Sequence, residues 1–167
     1  MQLRAARREE LDALARLWHD AWQDAHVEIL PEALRSIRTL DNFRERLRLH
    51  LAQLRVAEHE GEAVGFCLVR GDELDQLFVS AKARGTGVAA ALLADGEARL
   101  RASGVDKAWL ACAIDNHRAA RFYEKAGWRN VGVATIGLPV PADAAPGGVF
   151  ELEAWRFEKA LASTSRA

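Results

Sequence analysis

Six residues, Arg84-Gly85-Thr86-Gly87-Val88-Ala89, follow an apolar strand pattern and open an amphipathic helical one. Two glycines at such a junction let the backbone turn sharply and aim its N–H groups at a ligand. At the positive end of a helix dipole those N–H groups make a seat for phosphate. Two phosphate chemistries compete for the pattern. Gly85-x-Gly87-x-x-Ala90 fits the dinucleotide fingerprint, and Asp106 follows about twenty residues on. In that fold, however, the first glycine leaves the strand directly and the acid ends the next strand. Here residues 80–84 intervene and Asp106 precedes its strand, while no Gly-Lys-Ser/Thr follows to make a P-loop. The other chemistry is a pyrophosphate cradle for a coenzyme whose long arm runs back along the strand.

The longer stretch from Val79 to Ala89, backed by Leu92-Leu93, resembles the acetyl-CoA motif of the GNAT superfamily of N-acetyltransferases. The family pattern Gln/Arg-x-x-Gly-x-Gly/Ala is met by Arg84, Gly87 and Ala89. A second segment runs Leu110-x-Cys112, Asn116, Ala119, Phe122-Tyr123-Glu124-Lys125, Gly127-Trp128, and is similar to the family's second motif at every spacing. It departs only in Cys112, where a branched residue is usual, and Trp128, where Phe is usual. The resemblance is sharp over 73–128 and extends by order of elements across the chain. It implies acetyl-CoA as co-substrate and direct transfer of its acetyl group to a primary amine in a ternary complex. It implies that Leu77, Phe78 and Val79 hold the pantetheine arm through backbone, like an added strand. Arg84, Gly85, Thr86, Gly87, Val88 and Ala89 then surround the pyrophosphate, and Asn116 hydrogen-bonds the coenzyme. Asn116 also suits a helix cap at 117–125.

Acetyl transfer from a thioester to an amine needs a neutral amine, a stabilised oxyanion and a proton for the departing thiolate. With an amine pKa of about 10.4, only about one molecule in a thousand is ready at neutral pH, so a carboxylate or the water it orders would help. Tyr123 is the only tyrosine in the chain. Its hydroxyl, near pKa 10, can protonate a thiolate whose thiol is near about 8.5, and by resemblance it is the family's general acid. Glu73, six positions before Val79, is the candidate general base, alone or through water. Asp75 is second choice on the same strand face. The backbone N–H of Val79 is placed by resemblance to meet the oxyanion. No Ser or Cys nucleophile with a partner His is visible, which speaks against a covalent acetyl-enzyme. His19 and His26 lie seven apart without a third ligand, so no metal site is read.

These residues need a scaffold, and the hydrophobic period supplies one. Residues 2–6 read as a strand. Leu11, Leu14, Trp18 and Trp22 make one face of a helix over 8–25, with the tryptophans burying against a sheet or lining an acceptor pocket. Residues 32–53 keep helical spacing, with Arg44, Arg46, Arg48 and Arg55 read as a solvated face partly answered by Glu45. Strands follow at 54–58, 63–70 and 74–79, a helix at 88–101, a strand at 107–113, a helix at 117–125 and strands at 131–140 and 150–157. Gly96 inside its helix allows close contact with the sheet. The fold class is α+β, a GNAT-like domain over 1–167 with a mixed, mostly antiparallel sheet of about seven strands and about four flanking helices.

The chain has 167 residues, 50% hydrophobic and 28% charged, which is the composition of one globular domain. With 23 basic against 24 acidic residues, nothing electrostatic favours nucleic acid or an anionic membrane. Cys67 and Cys112 lie 45 positions apart in apolar segments and read as buried thiols of a reducing compartment. The start, MQLRAARREELDALARL, has no signal-peptide apolar run, so the cytoplasm is expected. The acceptor pocket is expected from 18–45 and 138–148, which hold Trp22, His26, Glu28, Asp41 and Asp143 without a decodable pattern. Open alternatives are a macromolecular acceptor and a non-catalytic acyl-CoA-binding sensor, the latter tolerant of Tyr123→Phe. Dimerisation is a habit of the family that the sequence itself does not show; the 138–148 loop is the candidate contact for a homodimer.

Overall fold

The computed structural model describes residues 1–161. Alternating apolar residues lay down seven strands: β1 (Gln2–Ala5), β2 (Leu54–His59), β3 (Glu62–Arg70), β4 (Glu73–Val79), β5 (Lys107–Cys112), β6 (Arg129–Pro139) and β7 (Val149–Ala160). They form one sheet in the order β1-β2-β3-β4-β5-β7-β6. Every neighbouring pair is antiparallel except β4 and β5, so the sheet is mixed and mostly antiparallel as expected. The strand boundaries fall within three residues of those read from the period.

Helices cover both faces. Helix α1 (Leu11–His26) buries Leu11, Leu14, Trp18 and Trp22, the stripe read from spacing. It packs with Phe43 and Leu47 of α3 (Leu40–Leu49), Leu34 of α2 (Glu32–Ile37) and Phe66 of β3. Trp18 meets Phe43 at 4.6 Å and Phe66 at 5.3 Å between ring centroids, and such aromatic pairs add about 0.5–1.5 kcal/mol each beyond area burial. On the other face α4 (Val88–Ala102) and α5 (His117–Lys125) bury Leu92, Leu93, Leu100 and Ala120 against Cys67, Leu74, Leu110 and Phe157. A Cβ at Gly96 would come 3.1 Å from both Cys67 Sγ and Leu74 Cδ1, so glycine sets how closely α4 lies on the sheet.

Two expectations need correction. The helical run at 32–53 is not continuous but divides in two, which brings the α-helices to five among the described residues within the α+β arrangement expected. Arg38 leaves the helical region (φ −78, ψ 64), and Thr39 caps α3 by accepting from the Asn42 N–H at 3.1 Å. A Thr ahead of a helix competes for backbone donors in this way and starts a new helix in preference to continuing the old one. Nor is the arginine face wholly solvated. Arg44 pairs with Asp12, Arg48 with Glu45 and Arg55 with Asp95, but Arg46 turns inward over Trp18. Arg46 lies three residues after Phe43 and one before Leu47, on the flank of the buried stripe.

Candidate functional site

Strands β4 and β5 share a single rung, Glu73 with Trp109, supported by the Trp109 N–H donating to Asp72 O at 3.2 Å. Beyond it the two strands part. Leu77, Phe78 and Val79 keep their pairing to β3, while the edge of β4 that faces β5 carries backbone groups without a strand partner. Unpaired N–H and C=O groups along a strand edge are a template for another extended, amide-bearing chain. The opening widens into a cleft of about 700 Å³. Along it lie Glu73, Leu77, Phe78, Val79, Arg84, Gly85, Gly87, Ala89, Asn116 and Tyr123.

At one end stands the glycine turn. Gly85 and Gly87 have φ of +75 and +85, and Gly87 is the residue before the first turn of α4. A Cβ at either would meet no atom within 4 Å, so the need for glycine is conformational and the space above the turn is open. The first bond of α4 runs from the Ala91 N–H to Gly87 O at 3.0 Å, which leaves the preceding N–H groups facing outward. That arrangement fits a pyrophosphate. Thr86 turns its hydroxyl back to Ala83 O and Val88 is buried in the core, so these two can contribute only backbone N–H groups. Arg84 reaches across to Asp24 of α1 at 3.0 Å, and Lys82 is tied to Glu62 at the surface. Asn116 performs the capping role, accepting from the Ala119 N–H at 3.3 Å, and also lines the cleft.

Tyr123 stands on α5 above β5, its ring 5.9 Å from Phe157 and 6.4 Å from Trp128. Burial, with the Cys112 and Cys67 thiols nearby, holds its hydroxyl above the ordinary phenol value, so it keeps its proton at neutral pH. Glu73 is pushed the same way. Burial first, then the neighbouring Asp75, raises its carboxyl to about 7, with Arg70 at 3.8 Å opposing the shift. A carboxyl poised there can take a proton near neutrality. Both cysteines are free and buried, and burial pushes each thiol up to about 12, which makes them unreactive packing groups.

Residues 11–128 match the acetyltransferase (GNAT) family. The chain belongs to that family. Over 87 residues this GNAT chain is 39% identical to an uncharacterised N-acetyltransferase of Mycobacterium tuberculosis, covering 49% of this chain and 56% of that protein. The chain thus spans about half the length of the curated relatives it matches. In fold it is similar to a GCN5-related N-acetyltransferase from Rhodopseudomonas palustris, with a TM-score of 0.74, 22% identity and coverage of 96% of this chain and 95% of that one. It is likewise similar to the PaiA N-acetyltransferase of Thermoplasma acidophilum, solved with coenzyme A: TM-score 0.69, 17% identity, 95% of this chain and 98% of that one.

Within this GNAT fold, two groups of residues escape sequence reading. Lys159 of β7 donates to both carboxylate oxygens of Glu97 at 2.9 Å and to Ala126 O at 2.8 Å. The Trp128 indole N–H donates to the same Glu97 at 2.9 Å, while the Trp128 backbone N–H closes the end of α5 on Tyr123 O at 3.0 Å. This network fixes the C-terminal turn of α5, and with it Tyr123, against α4 and β7. Glu97 and Lys159 lie 62 positions apart, and no local pattern announces their pairing or its link to Trp128. The second group is Arg38 and Arg46, which line the cleft from the α2–α3 break and from α3. Of the five acceptor-region residues singled out in the sequence, Trp22 and His26 line this cleft, and Glu28, Asp41 and Asp143 do not. Burial pushes His26 down to about 4, so its ring is neutral, with Nδ1 donating to Trp22 O at 3.1 Å.

Proposed function

We propose that the chain is an acetyl-CoA-dependent N-acetyltransferase acting on a primary amine by direct attack in a ternary complex, with residues 1–167 working as one domain. The observation that carries this reading is the single-rung opening between β4 and β5, which aligns a free strand edge, the α4 N-terminus and Tyr123 along one cleft. The backbone of Leu77, Phe78 and Val79 holds the pantetheine arm, and the Val79 N–H meets the oxyanion. Gly85, Thr86, Gly87, Val88 and Ala89 offer N–H groups to the pyrophosphate, with Arg84 beside them and Asn116 at the far wall. Glu73, directly or through water, takes the proton of the incoming ammonium. The amine then attacks the thioester carbon, the C–S bond breaks as the tetrahedral species collapses, Tyr123 gives its proton to the thiolate, and the extra proton on the new amide nitrogen leaves through solvent, which returns one to Tyr123. The high values of the two thiols support direct transfer over an acetyl-cysteine intermediate.

Two finer points belong to the same reading. Strand β6 is a sheet edge with Val131 at 42% and Val133 at 57% exposure, which supports pairing of two copies. Free thiols at both cysteines support a reducing compartment, the cytoplasm. Among the described residues no helix is long and apolar enough to cross a membrane. The deciding experiment titrates acetyl-CoA and CoA into the protein by calorimetry and then measures thiol release with amines. Coenzyme binding followed by amine-dependent thiol release is expected. Binding without turnover of any amine would favour the acyl-CoA sensor, and no binding would remove the reading.

A further inference from the structure

The acceptor end of the cleft holds more positive charge than the proposed mechanism uses. Arg38, at the break between α2 and α3, is 3% exposed, and only its Nη1 is engaged, donating to Asn42 Oδ1 at 3.0 Å and Pro139 O at 2.9 Å. Arg46 stacks over the Trp18 ring with its guanidinium carbon 4.4 Å from the centroid, and it forms no hydrogen bond or ion pair with the described residues. Stacking satisfies the flat face of a guanidinium but not the N–H groups in its plane. Neither guanidinium has a carboxylate partner among the described residues, and two such cations lining one cleft make a seat for an anion.

The surrounding charges sharpen this. Facing Arg38 and Arg46 are His50 at the end of α3, Arg70 of β3, and Glu73 and Asp75 of β4. Arg70 already lies 3.8 Å from Glu73 and 3.7 Å from Asp75. Both carboxylates are thus already faced by Arg70, while Arg38 and Arg46 have none of their own. Burial, then repulsion from Arg38, pulls the Arg46 guanidinium below its usual value, as an ion short of a counterion should be.

We infer that the acceptor is a small amine that also carries a carboxylate, with Arg38 and Arg46 as the seat for the carboxylate and Glu73 beside the amine. The assignment rests on the acetyl-transfer reading. A carboxylate is favoured over a phosphate because a dianion would press harder against Glu73 and Asp75, which line the same cleft. Its two oxygens also suit a planar guanidinium fork. A small acceptor is favoured because the bond from Arg38 to Pro139 O joins α2 to the end of β6 and closes that wall of the cleft.

The test titrates matched pairs into the CoA-loaded protein: α-, β- and γ-amino acids and dipeptides, each beside its own carboxamide. At least one carboxylate member should bind about ten- to a hundredfold more tightly than its carboxamide, the range expected for a charge-assisted pair. In Arg46→Met, shown by its melting transition to be folded, that ratio should fall towards one, with Arg46→Lys between the two. Equal binding within every pair, preference for carboxamides, binding by no member, or stronger binding of a phosphate-bearing amine overturns the assignment. The native comparison decides even if a variant misfolds. The acetyl-transfer reading fails on different observables: no uptake of CoA, or a bound carboxylate-bearing amine that releases no thiol from acetyl-CoA.

Discussion

The two ends of the cleft are built from different materials. At the proposed coenzyme end the groups on offer are backbone: the free edge of β4 and the outward N–H groups before Ala91, made possible by positive φ at Gly85 and Gly87. At the proposed acceptor end they are side chains, Arg38, Arg46, Arg70, Glu73 and Asp75, brought together from the α2–α3 break, α3, β3 and β4. Backbone groups are the same in every sequence, so the coenzyme end keeps its chemistry while side chains vary. The acceptor end changes with each substitution. One constant reagent and a changeable partner is the division of labour this construction permits.

The contrast can be broken in several places. Tyr123, from α5, is the side chain on which the chemical step should depend most heavily. Tyr123→Phe should lower kcat by about a thousandfold, within the range for general acid–base groups, with coenzyme affinity unchanged by calorimetry. Unaltered turnover would instead support the sensor reading. Next comes Gly87→Glu, which places a carboxylate among the N–H groups of the turn. Coenzyme affinity should drop by more than about a hundredfold, and the left-handed φ should add only about 1–2 kcal/mol of strain. A variant that melts near the native temperature yet still binds coenzyme would show that the turn is not the phosphate seat.

Glu73 tests the acceptor end. Since its carboxyl is raised to about 7, kcat/KM should climb with pH through about 7, and Glu73→Gln should remove that limb and about a hundredfold of the rate. Stability moves the other way. A raised carboxyl means the folded chain holds this proton more tightly than the unfolded chain does. Stability is therefore lost as pH rises from about 4.5 through about 7, and the Gln variant should melt higher than native above that window. A melting temperature that fell in Glu73→Gln at pH 8 would contradict this. The smallest effect is expected at Arg48, on the same helix as Arg46 but paired with Glu45 in solvent. Arg48→Ala should leave both the melting temperature and the rate of thiol release close to native.

The difference between the two ends also explains what the sequence disclosed. A turn of six consecutive residues and a helix motif within nineteen positions carry their geometry locally, so the glycine turn, Tyr123 and the Asn116 cap were readable. The strands and the α1 stripe were readable for the same reason, since period encodes burial. Arg46 sat among three surface arginines, and only the fold distinguishes it; its single local sign was the position between Phe43 and Leu47. Arg38 gave no sign, because its partner Pro139 lies 101 positions away. The Glu97 and Lys159 pair was hidden by a comparable separation. Thr39 could have been read as a helix start, which would have divided 32–53 correctly.

The lone rung between Glu73 and Trp109 has a consequence for how the molecule divides. All strands before it use residues 2–79 and all strands after it use residues 107–160, so each lobe is an unbroken length of chain with its own complete ladder. The proposed proton acceptor, Glu73, belongs to the first lobe, and the proposed proton donor, Tyr123, rides on the second. Their spacing is gauged by one pair of residues and by the helix that spans the seam, not by a continuous sheet. Substitutions at Trp109, which touches neither proton, would therefore act as an adjusting screw on the distance between them.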